Sequence, residues 1–250
     1  MIGAIAGREL RSLFLSPLAW VMLAVIQSIL AWIFLVAIDN FVLIQPRLIN
    51  MDSAPGVTDI VITPLFSLLG ILLLLITPLL TMRLISEERR NKSLALLLSA
   101  PVSANDIVLG KFFAILVFVG IMLLLCLFMA VSLIGSANID YGQIVGCVIG
   151  LLLLAATFTA IGLYMSCLTQ HPTVAATLSF GVLFMLWIVG RAGQADADGP
   201  TLLSWFAIFQ HQEGFYRGLI NSSDIAYYLI FTIVFLLLSI RRLDAERIQA

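Results

Sequence analysis

Long apolar runs divided by short polar intervals set the pattern of this chain. A helix crossing a hydrocarbon core of roughly 30 Å needs about 20 largely apolar residues. Six runs are read as such spans, at about 18–38, 60–82, 107–134, 144–168, 174–189 and 225–240. Ahead of them the periodicity predicts a surface helix over residues 2–15. Ile2, Ala6, Leu10, Leu13 and Phe14 fall on one arc and Arg8, Glu9, Arg11 and Ser12 on the other, with Ile5 out of place. That distribution suits a helix lying in the headgroup plane. Ser16-Pro17 then breaks it, because a residue before proline avoids the helical region and proline suits a first turn.

Composition agrees with this pattern. Of 250 residues, 62% are hydrophobic and 11% charged, against about 25% charged in an average soluble domain. A fold in water cannot hide that much apolar surface. The net charge of -1 offers no basic field for nucleic acid. Cys126, Cys147 and Cys167 sit within apolar runs without metal-ligand or disulfide-framework spacing.

The basic residues orient the spans. Arg8, Arg11, Arg83, Arg89, Arg90, Lys92, Lys111, Arg241, Arg242 and Arg247 fall on the side of the termini, and only Arg47, Arg191 and Arg217 on the other. The positive-inside rule therefore places both termini in the cytoplasm. The apolar run 18–38 is too long for a signal-peptide core and is read as a retained span.

Familiar chemistry is missing. The sequence holds no GxxxxGK[ST] loop, HExxH or GxSxG motif. His171 and His211 fall on opposite sides of the membrane and cannot share a metal, so no metal site is expected. The centres of the spans hold no Asp, Glu, Lys or Arg, which disfavours an ion-coupled carrier. Pro78, beside Thr77 and Thr81, is either a hinge or a tolerated kink in span two. Gly146-x-x-x-Gly150 is a close-approach motif, and the Thr and Ser of the spans suit helix packing. Residues 202–212 are apolar and aromatic but too short to cross, as an interfacial or re-entrant element would be. Within the external segment 190–224 that contains this stretch, Phe209, His211, Phe215 and Arg217 form either an aromatic cap or an external gate or partner contact.

The interval 87–111 is the longest charged connector. Glu87, Glu88, Arg89, Arg90 and Lys92 are followed by Leu94, Leu97 and Leu98 at i, i+3 and i+4, and Pro101 ends the run. This is either a short amphipathic helix for docking a cytoplasmic partner or a solvated turn.

Residues 82–111 resemble the signature connector of ABC-2 type transporter permeases, especially the subgroup related to gliding-motility permeases. Glu87, Glu88, Arg89, Leu94, Leu96, Leu97, Pro101, Val102, Ser103, Leu109, Gly110 and Lys111 match. Lys92 and Ser93 stand where the family usually has Gly-Thr, and Ala95 where it has Glu. Residues 8–21 resemble that subgroup's N-terminal elbow. Residues 203–228 resemble its external segment, through His211, Phe215, Arg217, Gly218, Asp224 and Tyr228.

The resemblance implies one all-α membrane domain over residues 1–250. It would have six transmembrane helices, an interfacial elbow helix, a cytoplasmic coupling helix between spans two and three, and a short external segment before span six. It implies an exporter subunit of the bacterial inner membrane that is not itself an enzyme and binds no cofactor. ATP and Mg would be held by a separate ABC ATPase contacting Glu87, Glu88, Arg89, Arg90, Lys92, Leu94, Leu97 and Leu98. A second permease copy or homologue would complete the complex, with spans two and five lining the route, so that Thr177 joins Pro78 and Thr81 as hinge or pathway residues. An accessory protein with an extracytoplasmic domain is a further expected partner. The alternative is a membrane scaffold that passes ATPase-driven motion to such a partner without moving a substrate.

Overall fold

The computed structural model describes residues 1–48, 56–92, 103–133, 135, 139–195 and 207–249. Among them every regular element is helical. The elements are α1 (Ile2–Leu15), α2 (Pro17–Leu48), a π-helical turn (Thr58–Ile62) leading into α3 (Thr63–Thr81), α4 (Ser86–Arg90) and α5 (Ala104–Val131). After them come α6 (Tyr141–Leu168), α7 (Pro172–Ala195), α8 (Ile208–Tyr216) and α9 (Ser222–Gln249). Six helices, α2, α3, α5, α6, α7 and α9, are long and apolar enough to cross a membrane.

Local chemistry sets the boundaries. Ser16 is extended, and proline opens α2. Pro64 has no N–H, and its ring crowds the carbonyl four residues back. The preceding turn widens instead, and Thr63 N–H reaches Thr58 O in π register. Ser103 caps α5, its hydroxyl accepting from Asp106 N–H at 3.2 Å. Asp140 caps α6 through Gly142 and Gln143 N–H.

Three spans outrun their apolar limits, α7 by running past residue 189 to Ala195. α2 continues through Asp39 to Leu48, ten residues past the apolar limit at residue 38. The reason is the apolar stretch after Asn40, where Phe41 packs on the core. Hydropathy marks where lipid ends, and a helix is free to continue into water. α9 likewise runs past residue 240 to Gln249.

The side-chain contacts gather α1, α4, the start of α5 and the end of α9 at one end of the bundle, the terminal end. α1 packs along the beginning of α5. Ile5 lies against Gly110, where an added Cβ would fall 2.8 Å from it. Phe14 meets Phe118 at 5.6 Å. These contacts advance together along both helices. Ile5, the residue out of place on the arc, thus lies on the packed side, and so does Glu9.

At the opposite end α8 is sunk between spans. Gly146 and Gly150 of α6 receive Phe215, and a Cβ on Gly150 would meet its ring at 2.8 Å. Gly190 of α7 meets Ala207. Phe209 lies 6.3 Å from Phe158. Thr157 of α6 and Tyr228 of α9 are level, joined at 3.3 Å. Thr157 is about 24 Å from the start of α6 and Tyr228 about 9 Å from the start of α9, at 1.5 Å per residue. α6 therefore begins about 15 Å further out than α9, and α8 fills the step.

Candidate functional site

The terminal end is organised around a buried cation. Lys111, in the second turn of α5, has a side chain only 1% exposed. Its Nζ lies 2.8 Å from Glu9 Oε1 and 2.8 Å from Glu88 Oε1. A buried ammonium costs several kcal/mol of desolvation unless oxygens surround it, and here α1 and α4 each supply one. Arg8 adds a guanidinium 3.2 Å from Glu9 and 3.4 Å from Glu88. Two cations and two anions from three elements thus close on themselves.

α4 is fixed from two further directions. Arg89 pairs with Glu246 of α9, which also meets Arg242 at 3.4 Å. Ser166, near the end of α6, accepts from the N–H groups of Ile85 and Ser86 at 3.1 Å each. The same hydroxyl donates to Met82 O at 3.2 Å. One hydroxyl therefore satisfies the turn that separates α3 from α4, tying α4 to the fourth span.

Of the connector residues singled out in the sequence, Glu88 and Arg89 face inward into ion pairs. Glu87 is half-buried, and Arg90 and Lys92 are exposed. Lys92 has φ 57°, the left-handed conformation that follows many helices and favours glycine. Leu94, Leu97 and Leu98 lie outside the described residues.

The hinge candidates separate. Pro78 and Thr81 are buried in α3, where a Cβ on Gly162 of α6 would lie 2.2 Å from Thr81 Oγ1. Thr81 hydroxyl donates to Thr77 O at 2.7 Å, supporting the backbone around the proline. Thr177 is on the exposed face of α7, bonded only to its own helix at Thr173 O.

The external candidates divide too. Phe215 is fully buried and Phe209 packs on Phe158, so both serve as wedges between spans. His211 Nδ1 lies 2.7 Å from Asp224 Oδ1, and its ring stacks on Tyr227 at 4.2 Å. Arg217 is exposed and borders the same cavity of about 490 Å³ as His211. Gln143, which no motif or periodicity singles out, ties this end together. Its Nε2 faces Asp59 Oδ1, Thr63 Oγ1 and Tyr216 O at 2.8–3.0 Å.

A family profile described as ABC-2 family transporter protein matches residues 4–247, nearly the whole chain. The chain belongs to the ABC-2 transporter family. In a comparison with curated proteins no match emerged. Within an ABC-2 permease the buried cluster has a plain structural meaning: the segment joining spans two and three is anchored to the N-terminal helix, the third span, the fourth span and the C-terminal helix. Ser166 bonds the backbone of a neighbouring segment, as expected of the Ser and Thr of the spans; Glu9 and Glu246 belong to the same anchor, and the sequence pattern does not single them out. The spacing of Arg242 and Glu246, one helical turn apart, is the only local signal for either of them.

Proposed function

We propose that the chain is the permease subunit of an ABC-2 exporter of the gliding-motility-permease-like subgroup, driven by a separate ATPase at the terminal end. That end is cytoplasmic, in agreement with ten of the thirteen basic residues. The ATPase, holding ATP and Mg, docks on the face made by Arg90, Asn91 and Lys92 and on the segment that follows. Glu88 and Arg89 act as struts behind that face. A second copy or homologue pairs with the permease, and an accessory protein meets its outer end.

The observation that carries this reading is the anchoring of α4. Its outward residues are exposed while its inward ones are tied to α1, α5, α6 and α9. A push on α4 thus reaches four elements through short polar contacts. A floppy connector would dissipate it.

The test is purification of the native complex. A Walker A-bearing subunit should co-purify, and cysteines at Arg90 and Lys92 should cross-link to it. The charge reversal Arg90→Glu with Lys92→Glu should weaken that association by about tenfold or more, as loss of complementary charge does. A complex without such a subunit, or one indifferent to the reversal, would refute the reading.

A further inference from the structure

Between α1, the start of α2 and the α3–α4 turn lies a cavity of about 480 Å³, a size that accepts a small molecule or a lipid headgroup. Its apolar wall includes Leu18 and Leu79, 37% and 44% exposed and within the membrane-crossing stretches of α2 and α3. Its polar wall begins one turn beyond Leu79, at Arg83. The cavity thus runs from an aliphatic face of the spans onto the charged groups of the terminal end.

The charges on the polar wall sort into two groups. Arg8, Lys111, Glu9 and Glu88 neutralise one another in the cluster described above. That leaves Arg83 and Glu87, one cation and one anion, which make no ion pair with each other or with any other described residue. Beside an aliphatic wall the cavity therefore offers one unpaired cation for a phosphate and one unpaired anion for an ammonium, with Ser12, Ser16 and Asn91 as neutral polar groups. Among the described residues no aromatic one lines it. Quaternary ammonium groups are held by aromatic cages, whereas a primary ammonium donates hydrogen bonds to a carboxylate.

We propose that this cavity binds the headgroup of a phosphatidylethanolamine from the leaflet at the terminal end, with its phosphate on Arg83 and its ammonium on Glu87. An anionic phospholipid would meet Glu87 without a compensating cation, and a choline lipid could donate no hydrogen bond there. A lipid seated in this way fills the space beside α4 and leaves the Arg90–Lys92 face open.

The experiment is lipid retention by the full-length permease alone, so its result does not depend on ATPase docking. The purified chain is exchanged into nanodiscs holding equal parts of phosphatidylethanolamine, phosphatidylcholine and phosphatidylglycerol, and retained lipid is identified by native mass spectrometry. Phosphatidylethanolamine should be enriched, and N-methylated analogues should be lost stepwise as ammonium protons are removed. Arg83→Gln should reduce retention about tenfold, as loss of a charge-assisted hydrogen bond does. Glu87→Gln should shift preference toward phosphatidylglycerol. Equal retention of the three lipids, preference for phosphatidylglycerol by the unaltered chain, or indifference to N-methylation would overturn the proposal. The headgroup series needs no substitution, so it decides the matter even if a variant fails to fold.

Discussion

Lys111 Nζ and Glu88 Oε1 are 2.8 Å apart, which fixes the short helix α4 to the start of the third span. Glu88 is therefore part of the fold, even though its neighbours in sequence look like a solvated charge run. Reversing it with Glu88→Lys would set a second ammonium against Lys111 and Arg8. Removing one partner of a buried pair costs about 3–5 kcal/mol, and a loss of that order is expected in the unfolding stability of the chain in detergent. The exchange Glu88→Lys with Lys111→Glu should recover part of it. An unchanged unfolding midpoint in the single variant would show that the cluster carries no load.

Arg89 and Glu246 join α4 to α9. Their side chains are 12% and 23% exposed, so solvent screens the pair in part. A double-mutant cycle of Arg89→Gln and Glu246→Gln should return a coupling of about 1 kcal/mol. Strict additivity would mean that the two helices are held by packing alone.

Gly162 and Thr81 mark the closest approach of α3 and α6. Gly162→Ala puts a methyl within 2.2 Å of the Thr81 hydroxyl oxygen, and overpacking of this kind costs about 1–3 kcal/mol. Thr81→Ala in the same chain should relieve most of the clash. Thermal unfolding of the two variants distinguishes this contact from a general intolerance of α6 to change.

Lys92 adopts φ 57°, which costs an L-residue about 1–2 kcal/mol relative to glycine. Lys92→Gly should raise stability by up to that amount. A fall in stability would show that the side chain makes contacts worth more than the strain.

Sidedness is open to a direct check. Asn91→Cys and Leu219→Cys place thiols on exposed positions at opposite ends of the bundle. A membrane-impermeant maleimide should label them from opposite faces of sealed vesicles. Labelling from one face would contradict the six-span path.

The spans were legible because a run of about 20 apolar residues has few alternatives to crossing a bilayer. What escaped was long-range pairing. Glu9 reads as one more polar residue on a surface helix, and its partner Lys111 lies 102 positions away. Gly146-x-x-x-Gly150 announces close approach but not the identity of the visitor, which is α8 and not a neighbouring span. The departure at Lys92 was visible in the sequence, and its meaning needed a backbone angle. In the connector that residues 82–111 resemble, glycine is expected at this position, where the chain turns left-handed.

The offset between α6 and α9 gives α8 a role in solvating the bundle. The outer third of α6 carries Gly146 and Gly150 on the side that α9 does not reach. Bare helix of this kind would otherwise meet acyl chains, which cannot follow its grooves. Phe215 and its helix occupy that shoulder, so the chain covers its own glycine face where its spans are unequal in height.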